Sequence, residues 1–379
     1  MDLKEIRNKI DTIDDKILEL FKERMETVKD VAEYKKVNNL PVLSTQRERE
    51  IICRITNGMD DEMAAYTKSL YTTMFEVSRS YQKHVNSNKT NMAEMIQKAC
   101  LPADTIFPKS AVVACQGVEG ANSQIACDKL FDRPEIMYMQ NFDSVFTAVD
   151  KGLCQYGILP IENSLHGSVV AVYDLMKKYS FHIVRSVKVK IDHMLLANPG
   201  VELKDIKEIY SHEQALAQCS DFLKELCDVK IIPCENTAMA AKMVLESGRN
   251  NVAAISSRSC AELYNLRILT DNIQNSANNY TRFICISKEL EIYPGANKIS
   301  VMFSVPHRPG SLYEMISRFS VLGVNLTKLE SRPIPGRDFE FIFYVDFDAS
   351  VYSKEIRSLL ATLDEAPDFF AFLGNYSEL

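Results

Sequence analysis

The chain has 379 residues, of which 46% are hydrophobic and 25% charged, and its formal net charge is −7. That length exceeds one ordinary core and points to several domains. The modest acid excess gives no electrostatic ground for binding nucleic acid or an anionic membrane, so a small molecule is the expected partner.

The N-terminal segment MDLKEIRNKID is charged from its second residue, and no apolar run approaches the ~18 residues needed to cross a bilayer, so a cytoplasmic protein is expected. The ten cysteines stand singly, mostly among apolar neighbours, with no CxxC or Cys/His cluster, and read as reduced core residues rather than metal ligands.

Residues 3 to 36 predict one long helix, because Ile6, Ile10, Ile13, Ile17 and Leu20 recur at alternating spacings of four and three. After NNLPV, Thr45 as N-cap and Glu48 three residues later form a capping-box pattern that opens a second helix, ended by Gly58. DEMAAYTKSLYTTMFEVSRSYQKHV supplies a third. Residues 86 to 91, NSNKTN, are polar and read as a linker.

From about residue 111, β-rich runs alternate with helical stretches: AVVACQG, IMYMQNF, YGILPIEN, FHIVRSVKVKI, HMLLAN, IKEIYS, KIIPCEN, NVAAISS and TRFICIS. The alternation predicts α/β units with parallel strands, enough for two subdomains. From 298 the order is strand, helix, strand, strand, helix, strand, the βαββαβ sequence of a ferredoxin-like module.

Extending the first helix's apolar stripe past Leu20 places Arg24, Val28, Val31 and Lys35 on it, two cations with no acid of the same helix sharing that stripe. They lie within roughly 20° of one face and about 16 Å apart along the axis, a gap two long side chains close around a small dianion. Arg7 is roughly 25 Å from Arg24 on the same rod and shares that ligand only if the helix pairs with a second copy. Arg47 and Glu48 sit in the first turn of the second helix, and Ser78 and Gln82 are one turn apart on the third.

This set resembles the helical AroQ-type chorismate mutases over residues 3 to 85. The resemblance implies a domain-exchanged helical dimer in which Arg7, Arg24 and Arg47 bind the two carboxylates of chorismate. It also implies that Lys35 and Gln82 hydrogen-bond the ether oxygen of the breaking bond, that Glu48 holds the ring hydroxyl and that Ser78 adds a polar contact. Ser44 stands where the family commonly has an acid. A pericyclic rearrangement requires no nucleophile, base or cofactor, only a held geometry and positive charge near the oxygen that gains electron density.

Three further segments place small polar groups after predicted strands: GVEGANSQ (117 to 124), PIENSLHGS (160 to 168) and YSHEQALAQC (210 to 219). A fourth, NNYTRF, puts Thr281 and Arg282 at the mouth of an apolar strand, where Thr281 is expected in a cleft between two lobes. The motifs PIEN, YSH and YTRF in this order resemble prephenate dehydratase over about 111 to 290. That implies a two-lobed, periplasmic-binding-protein-like fold with prephenate in the cleft and no cofactor. Thr281 would assist the departing hydroxyl and Arg282 would fix the substrate or the threonine. Asn163, Ser164, Ser211 and Gln218 would bind and orient prephenate, with Glu162 and His212 beside them. Ser123 is retained, while Asn122 stands where the family usually has a tyrosine.

RPGSL (308 to 312) and ESRP (330 to 333) together resemble the ACT regulatory domain of prephenate dehydratases over 298 to 376. The resemblance implies phenylalanine bound as a feedback inhibitor by Gly310, Ser311, Leu312, Asn325, Leu326, Glu330 and Ser331. The expected division is therefore an all-α mutase domain (1–88), a linker (89–110), a two-lobed α/β dehydratase domain (111–290) and an α+β ferredoxin-like ACT domain (297–379). The assembly is expected to be a homodimer or larger. The rival of a mutase fused to an NAD-dependent dehydrogenase lacks a GxGxxG fingerprint. A second rival is a non-enzymatic amino-acid sensor.

Overall fold

The computed structural model describes residues 2–38, 40–86, 91–226, 228–307, 309–334, 340–365 and 369–379. Residues 87–90 of the anticipated linker region, together with Cys227 and Arg308, lie outside the described residues. Helix α1 (Leu3–Val37) runs unbroken, and Glu5 Oε2 accepts a hydrogen bond from the backbone N–H of Asp2 at its start. Helix α2 (Thr45–Thr56) begins one residue earlier than the capping-box pattern predicts. Ser44, not Thr45, is its N-cap, without a side-chain cap bond, and the Glu48 side chain is turned to α3 (Asp61–Asn86).

Helix α3 packs on α1 and α2 packs on α3, and the residues of α1 that become buried, Val28 and Ala32, lie in its C-terminal part. The stripe expected in a core behaves differently further up: Ile6, Ile10, Ile13, Ile17 and Leu20 are between 41 and 65% exposed in the single chain. A 35-residue helix is about 52 Å long, more than two shorter neighbours reach from one end.

Where the sequence reads as linker, α4 (Asn91–Ala99) forms and docks. Ile96 and Ala99 join an apolar cluster with Ile299, Phe319 and Leu360 near the C-terminus, and Leu101 N–H bonds Ile292 O at 3.0 Å.

The first lobe of the α/β region comprises β1 (Ser110–Gln116), α5 (Asn122–Leu130), β2 (Arg133–Met139), α6 (Phe142–Asp150), β3 (Tyr156–Asn163), β4 (Gly167–Ser168), α7 (Val170–Tyr179) and β5 (His182–Lys190). The second comprises β6 (Met194–Ala197), β7 (Glu208–Ser211), α8 (Glu213–Gln218), α9 (Ser220–Glu225), β8 (Lys230–Pro233), α10 (Thr237–Ser247), β9 (Val252–Ser256), α11 (Arg258–Leu263) and β10 (Arg267–Thr270). The chain then returns to the first lobe as β11 (Tyr280–Ser287), between β5 and β3.

Parallel pairing holds for β1 with β2 and β3, and for β7 with β8 and β9. The other strands depart from the all-parallel expectation: β11 is antiparallel to β3 and β5, and β6 to β9 and β10. Each lobe thus keeps a parallel βαβ core and is closed by strands that cross from the other lobe, and a strand returning without a helical crossover runs antiparallel.

The C-terminal module is β12 (Lys298–Ser304), α12 (Ser311–Val321), β13 (Asn325–Pro333), β14 (Phe341–Asp348), α13 (Lys354–Glu365) and β15 (Phe370–Glu378), with strand order β13-β14-β12-β15. That is the ferredoxin-like order expected from the sequence. Its sheet continues into the first lobe, because β15 pairs in parallel with β5 at Ser377 and Glu378. Gly374 makes that junction possible: its φ is 151°, and a Cβ there would stand 2.2 Å from Ile183 O.

Candidate active sites

The helical bundle gathers part of the predicted cation set. The Arg24 guanidinium donates to the Ser78 hydroxyl, which in turn donates to Met74 O at 2.6 Å. Burial pulls the Arg24 pKa below its ordinary value, with Tyr71 opposing. Lys35 Nζ donates to Val42 O at 2.6 Å, and burial pulls its pKa down while the charge of Glu48 raises it. Gln82, one turn from Ser78, is only 7% exposed and its Oε1 has no hydrogen-bond partner among the described residues. An unmade bond in so buried a place is costly, about 1–3 kcal/mol, and fits a group that awaits a ligand.

Three residues of the predicted set are not brought there. Arg47 is exposed and pairs with Glu50 at 3.1 Å, Ser44 is exposed at the start of α2, and Arg7 is exposed roughly 25 Å up α1. Sequence reasoning missed Arg79, which is paired with Glu48.

In the α/β region the polar groups converge on the two crossings between lobes. Asn163, at the end of β3, donates from Nδ2 to Thr281 Oγ1 at 3.0 Å and to Asn279 Oδ1 at 2.8 Å. Its Oδ1 accepts the N–H groups of Leu165 and His166, each at 3.0 Å, so the amide is oriented by its own turn. Asn279, fully buried in the second crossing, donates to Gln218 Oε1 at 2.9 Å. Gln218 also lies 2.8 Å from His193 Nε2, in the first crossing, and 3.1 Å from His166 Nδ1. Burial holds the His193 pKa below its ordinary value against the bond to Gln218. Ser164 donates to Asn278 O and accepts from Tyr280 N, both at 2.9 Å, and so pins the second crossing.

The Thr281 oxygen accepts from Asn163, which leaves its own hydrogen free for a ligand. Asn279, His193 and His166 were not singled out by sequence reasoning. Asn279 does stand two residues before Thr281 in the NNYTRF motif, but His193 carries no local signal.

Other predicted residues have structural partners. The Ser211 hydroxyl, fully buried, donates to Ile255 O at 2.7 Å and ties β7 to β9. Ser123, also buried, donates to Gln116 O at 2.5 Å and closes the turn between β1 and α5. His212 Nδ1 accepts the Gln214 N–H at 3.2 Å as N-cap of α8.

Arg282 corrects the expectation most directly. Successive strand residues face opposite ways, so when Thr281 faces the crossings its neighbour turns to the C-terminal module. There Arg282 is buried, 2.5 Å from Asp346 Oδ2, 2.6 Å from Tyr376 OH and 2.9 Å from Glu378 Oε2. Glu162, on the same strand pair, lies 3.1 Å from Lys328 of β13. Burial pushes the Glu378 carboxyl up, but the Lys188 bond and the charges of Arg282 and Lys298 outweigh it, leaving the pKa below the ordinary value.

In the C-terminal module a pocket of about 140 Å³ is lined by Pro306, His307, Ser311, Leu312, Phe341 and Phe343. Gly310, at φ +87°, caps the helix that delivers Ser311, whose buried hydroxyl has no partner among the described residues. Leu326 packs on the module's core, and Asn325 bonds Asp348 at 3.4 Å. Glu330 departs from its predicted place. It accepts from Ser168 and lies 3.5 Å from Lys328, facing the first lobe rather than the pocket, while Ser331 is exposed.

A helical site with cations and an amide and a second site of amides and a hydroxyl between two lobes hold groups suited to enzymes of small polar substrates. Comparison with known proteins identifies the parts. The family model "Chorismate mutase type II" matches residues 6–83 and "Prephenate dehydratase" matches residues 113–291. The bifunctional chorismate mutase/prephenate dehydratase of Aquifex aeolicus is 32% identical over 379 aligned positions, which cover 99% of this chain and 98% of the relative. Arogenate dehydratase/prephenate dehydratase 2 of Arabidopsis thaliana is 36% identical, over 90% of this chain and 87% of the relative. The structure of prephenate dehydratase from Arthrobacter aurescens in complex with L-Phe superposes with a TM-score of 0.64 at 31% identity, over 70% of this chain and 89% of that one. The chain belongs to the bifunctional chorismate mutase/prephenate dehydratase family and is an enzyme with both activities. Among the described residues no helix is long and apolar enough to cross a membrane.

Proposed function

We propose that the helical domain (about 1–88) rearranges chorismate to prephenate. The α/β domain (about 111–290) then converts prephenate to phenylpyruvate, and the C-terminal module (about 297–379), an ACT domain, binds phenylalanine as feedback inhibitor. What supports the reading is that each of the three places holds a group with unspent hydrogen-bonding capacity: the Gln82 amide, the Thr281 hydroxyl and the Ser311 hydroxyl.

In the first reaction a C–O bond breaks as a C–C bond forms. Arg24 holds a carboxylate, Lys35 and Gln82 meet the ether oxygen as it gains charge, and Glu48 takes the ring hydroxyl. Arg7 reaches this pocket from a second copy of the chain, whose α1 covers the bare apolar stripe, so the enzyme works as a dimer or larger. Arg47 turns from Glu50 to the second carboxylate when substrate is present.

In the second reaction prephenate loses carbon dioxide and its ring hydroxyl, which leaves as water after taking up a proton, and the ring becomes aromatic. Thr281, accepting from Asn163, donates its hydrogen bond to the departing oxygen. Asn163, Ser164 and Gln218 orient the substrate across the crossings.

A two-step assay tests this, following loss of chorismate and appearance of phenylpyruvate with and without phenylalanine. Arg24→Ala is expected to abolish loss of chorismate, and with it phenylpyruvate from chorismate, while supplied prephenate is still converted. Thr281→Ala is expected to abolish phenylpyruvate from either substrate while chorismate is still consumed. Parent-like rates in both variants would overturn the site assignment. Turnover of arogenate in place of prephenate would redraw the substrate of the second site, since the Arabidopsis relative carries both names.

A further inference from the structure

Arg79 sits on α3 next to Ser78, and no motif points to it. Its guanidinium is mostly buried and reaches two carboxylates from different parts of the fold. Nη1 pairs with Glu48 Oε1 on α2, and Nη2 lies 3.8 Å from Glu314 Oε1 on α12. Glu48 is in turn the acid near Lys35. A glutamate in a half-open pocket has several rotamers, and fixing one costs side-chain entropy unless a partner holds it. The planar fork of an arginine does this well, because its two edges engage two carboxylates at once.

We infer that Arg79 is a positioning residue for the mutase reaction, holding Glu48 in the rotamer that serves the Arg24–Lys35 pocket while Glu314 of the C-terminal module holds the guanidinium's other edge. The inference rests on the reading of Glu48 as a substrate ligand. It adds that the orientation of a mutase side chain depends on a helix of the C-terminal module. Glu314 stands one turn after Ser311, the residue that lines the module's pocket. Whatever shifts the first turn of α12 therefore acts on Glu48 through a single side chain.

The test is a double-mutant cycle on the full chain, read as mutase kcat and KM with dehydratase activity as an internal control of folding. Arg79→Ala is expected to lower mutase kcat/KM about ten-fold or more, in keeping with the cost of a misplaced catalytic contact. In the Glu48→Gln background the same substitution is expected to cost less than about two-fold, because residues acting through one another are not additive. Arg79→Lys should recover part of the loss.

Glu314→Lys leaves Arg79 and Glu48 in place but repels the guanidinium. It should lower mutase kcat/KM about three-fold or more in the parent, with no further loss in Glu48→Gln. Additive losses, or equal losses in both activities, mark Arg79 as an ordinary structural residue and overturn the inference while the reading of Glu48 stands. A Glu48→Gln variant as active as the parent removes that reading, and the inference with it.

Discussion

The helical site takes its polar groups from α1, α2 and α3 of a bundle whose long helix is bare over most of its apolar stripe. The hinge site takes them from both lobes and both crossings, and its side chains satisfy one another inside one chain. The first is assembled from neighbouring segments, and Arg7, roughly 25 Å up α1, is not among the residues gathered there. The second requires distant segments to meet, and once met they hold the hydroxyl of Thr281 with no outside help. A site gathered on a helical bundle with a bare apolar stripe stays open on one side, whereas a site built on crossings is closed by the fold that makes it.

The contrast is sharpest at Thr281. Thr281→Val keeps the shape and removes the hydroxyl, and is expected to lower dehydratase kcat by roughly 10²–10⁴-fold, the range for losing assistance to a leaving group, with mutase activity unchanged. A parallel fall in mutase activity would mean that the two sites are not independent.

Next in size is Arg282, which tests whether the closed site leans on the C-terminal module. Arg282→Ala leaves Asp346 buried without its cation, while Glu378 keeps Lys188 and Lys298, and is expected to cost about 3–5 kcal/mol in denaturant unfolding. If stability is unchanged while prephenate KM rises steeply, the guanidinium serves the substrate after all.

Ile13→Asp strikes the open site instead. A charge in the middle of the bare stripe is expected to shift the protein to monomer in sedimentation and to lower mutase activity by about ten-fold or more, leaving dehydratase activity within about two-fold. A monomeric parent would break the comparison at its root.

The smallest effect concerns acid. Burial holds the pKa values of His193 and His182 below the ordinary 6.5, His182 with its bond to Phe372 O opposing, so on acidification the unfolded chain takes up these protons first. Their contribution is complete above about pH 6.5 and is lost as pH falls through their depressed folded values. Glu378, depressed from 4.5, adds a further loss at lower pH as it becomes protonated. The Tm of the parent should fall steadily below pH 6.5, and less steeply in His193→Gln. Equal slopes would mean that His193 is not held neutral in the hinge.

Much of this architecture is legible in the sequence, because hydrophobic period is a local property. The three N-terminal helices, most of the α/β strands and the βαββαβ order of the C-terminal module fall within a residue or two of where the spacing places them. What escaped are short elements with weak periods, such as β4 and β10, and α4, whose apolar face is explained only by the core it joins. The capping-box pattern erred by one residue because Ser44 and Thr45 are adjacent cap-competent residues, of which serine is the better N-cap. Among site residues, Asn163, Gln218 and Thr281 come from motifs. Asn279 and His193 become visible only when the two crossings lie side by side.

The amino-acid sequence by itself determined which segments fold as helix or strand, and which residue types stand at their ends. Steric preference and hydrophobic spacing act within a few residues, so both are written locally. Tertiary structure alone decided that Arg282 faces the C-terminal module, that β15 extends the sheet of the first lobe, and that Glu330 turns from the pocket to Ser168. Those outcomes depend on strand register and on which distant surface supplies a partner for a buried charge, and no local spacing contains that information.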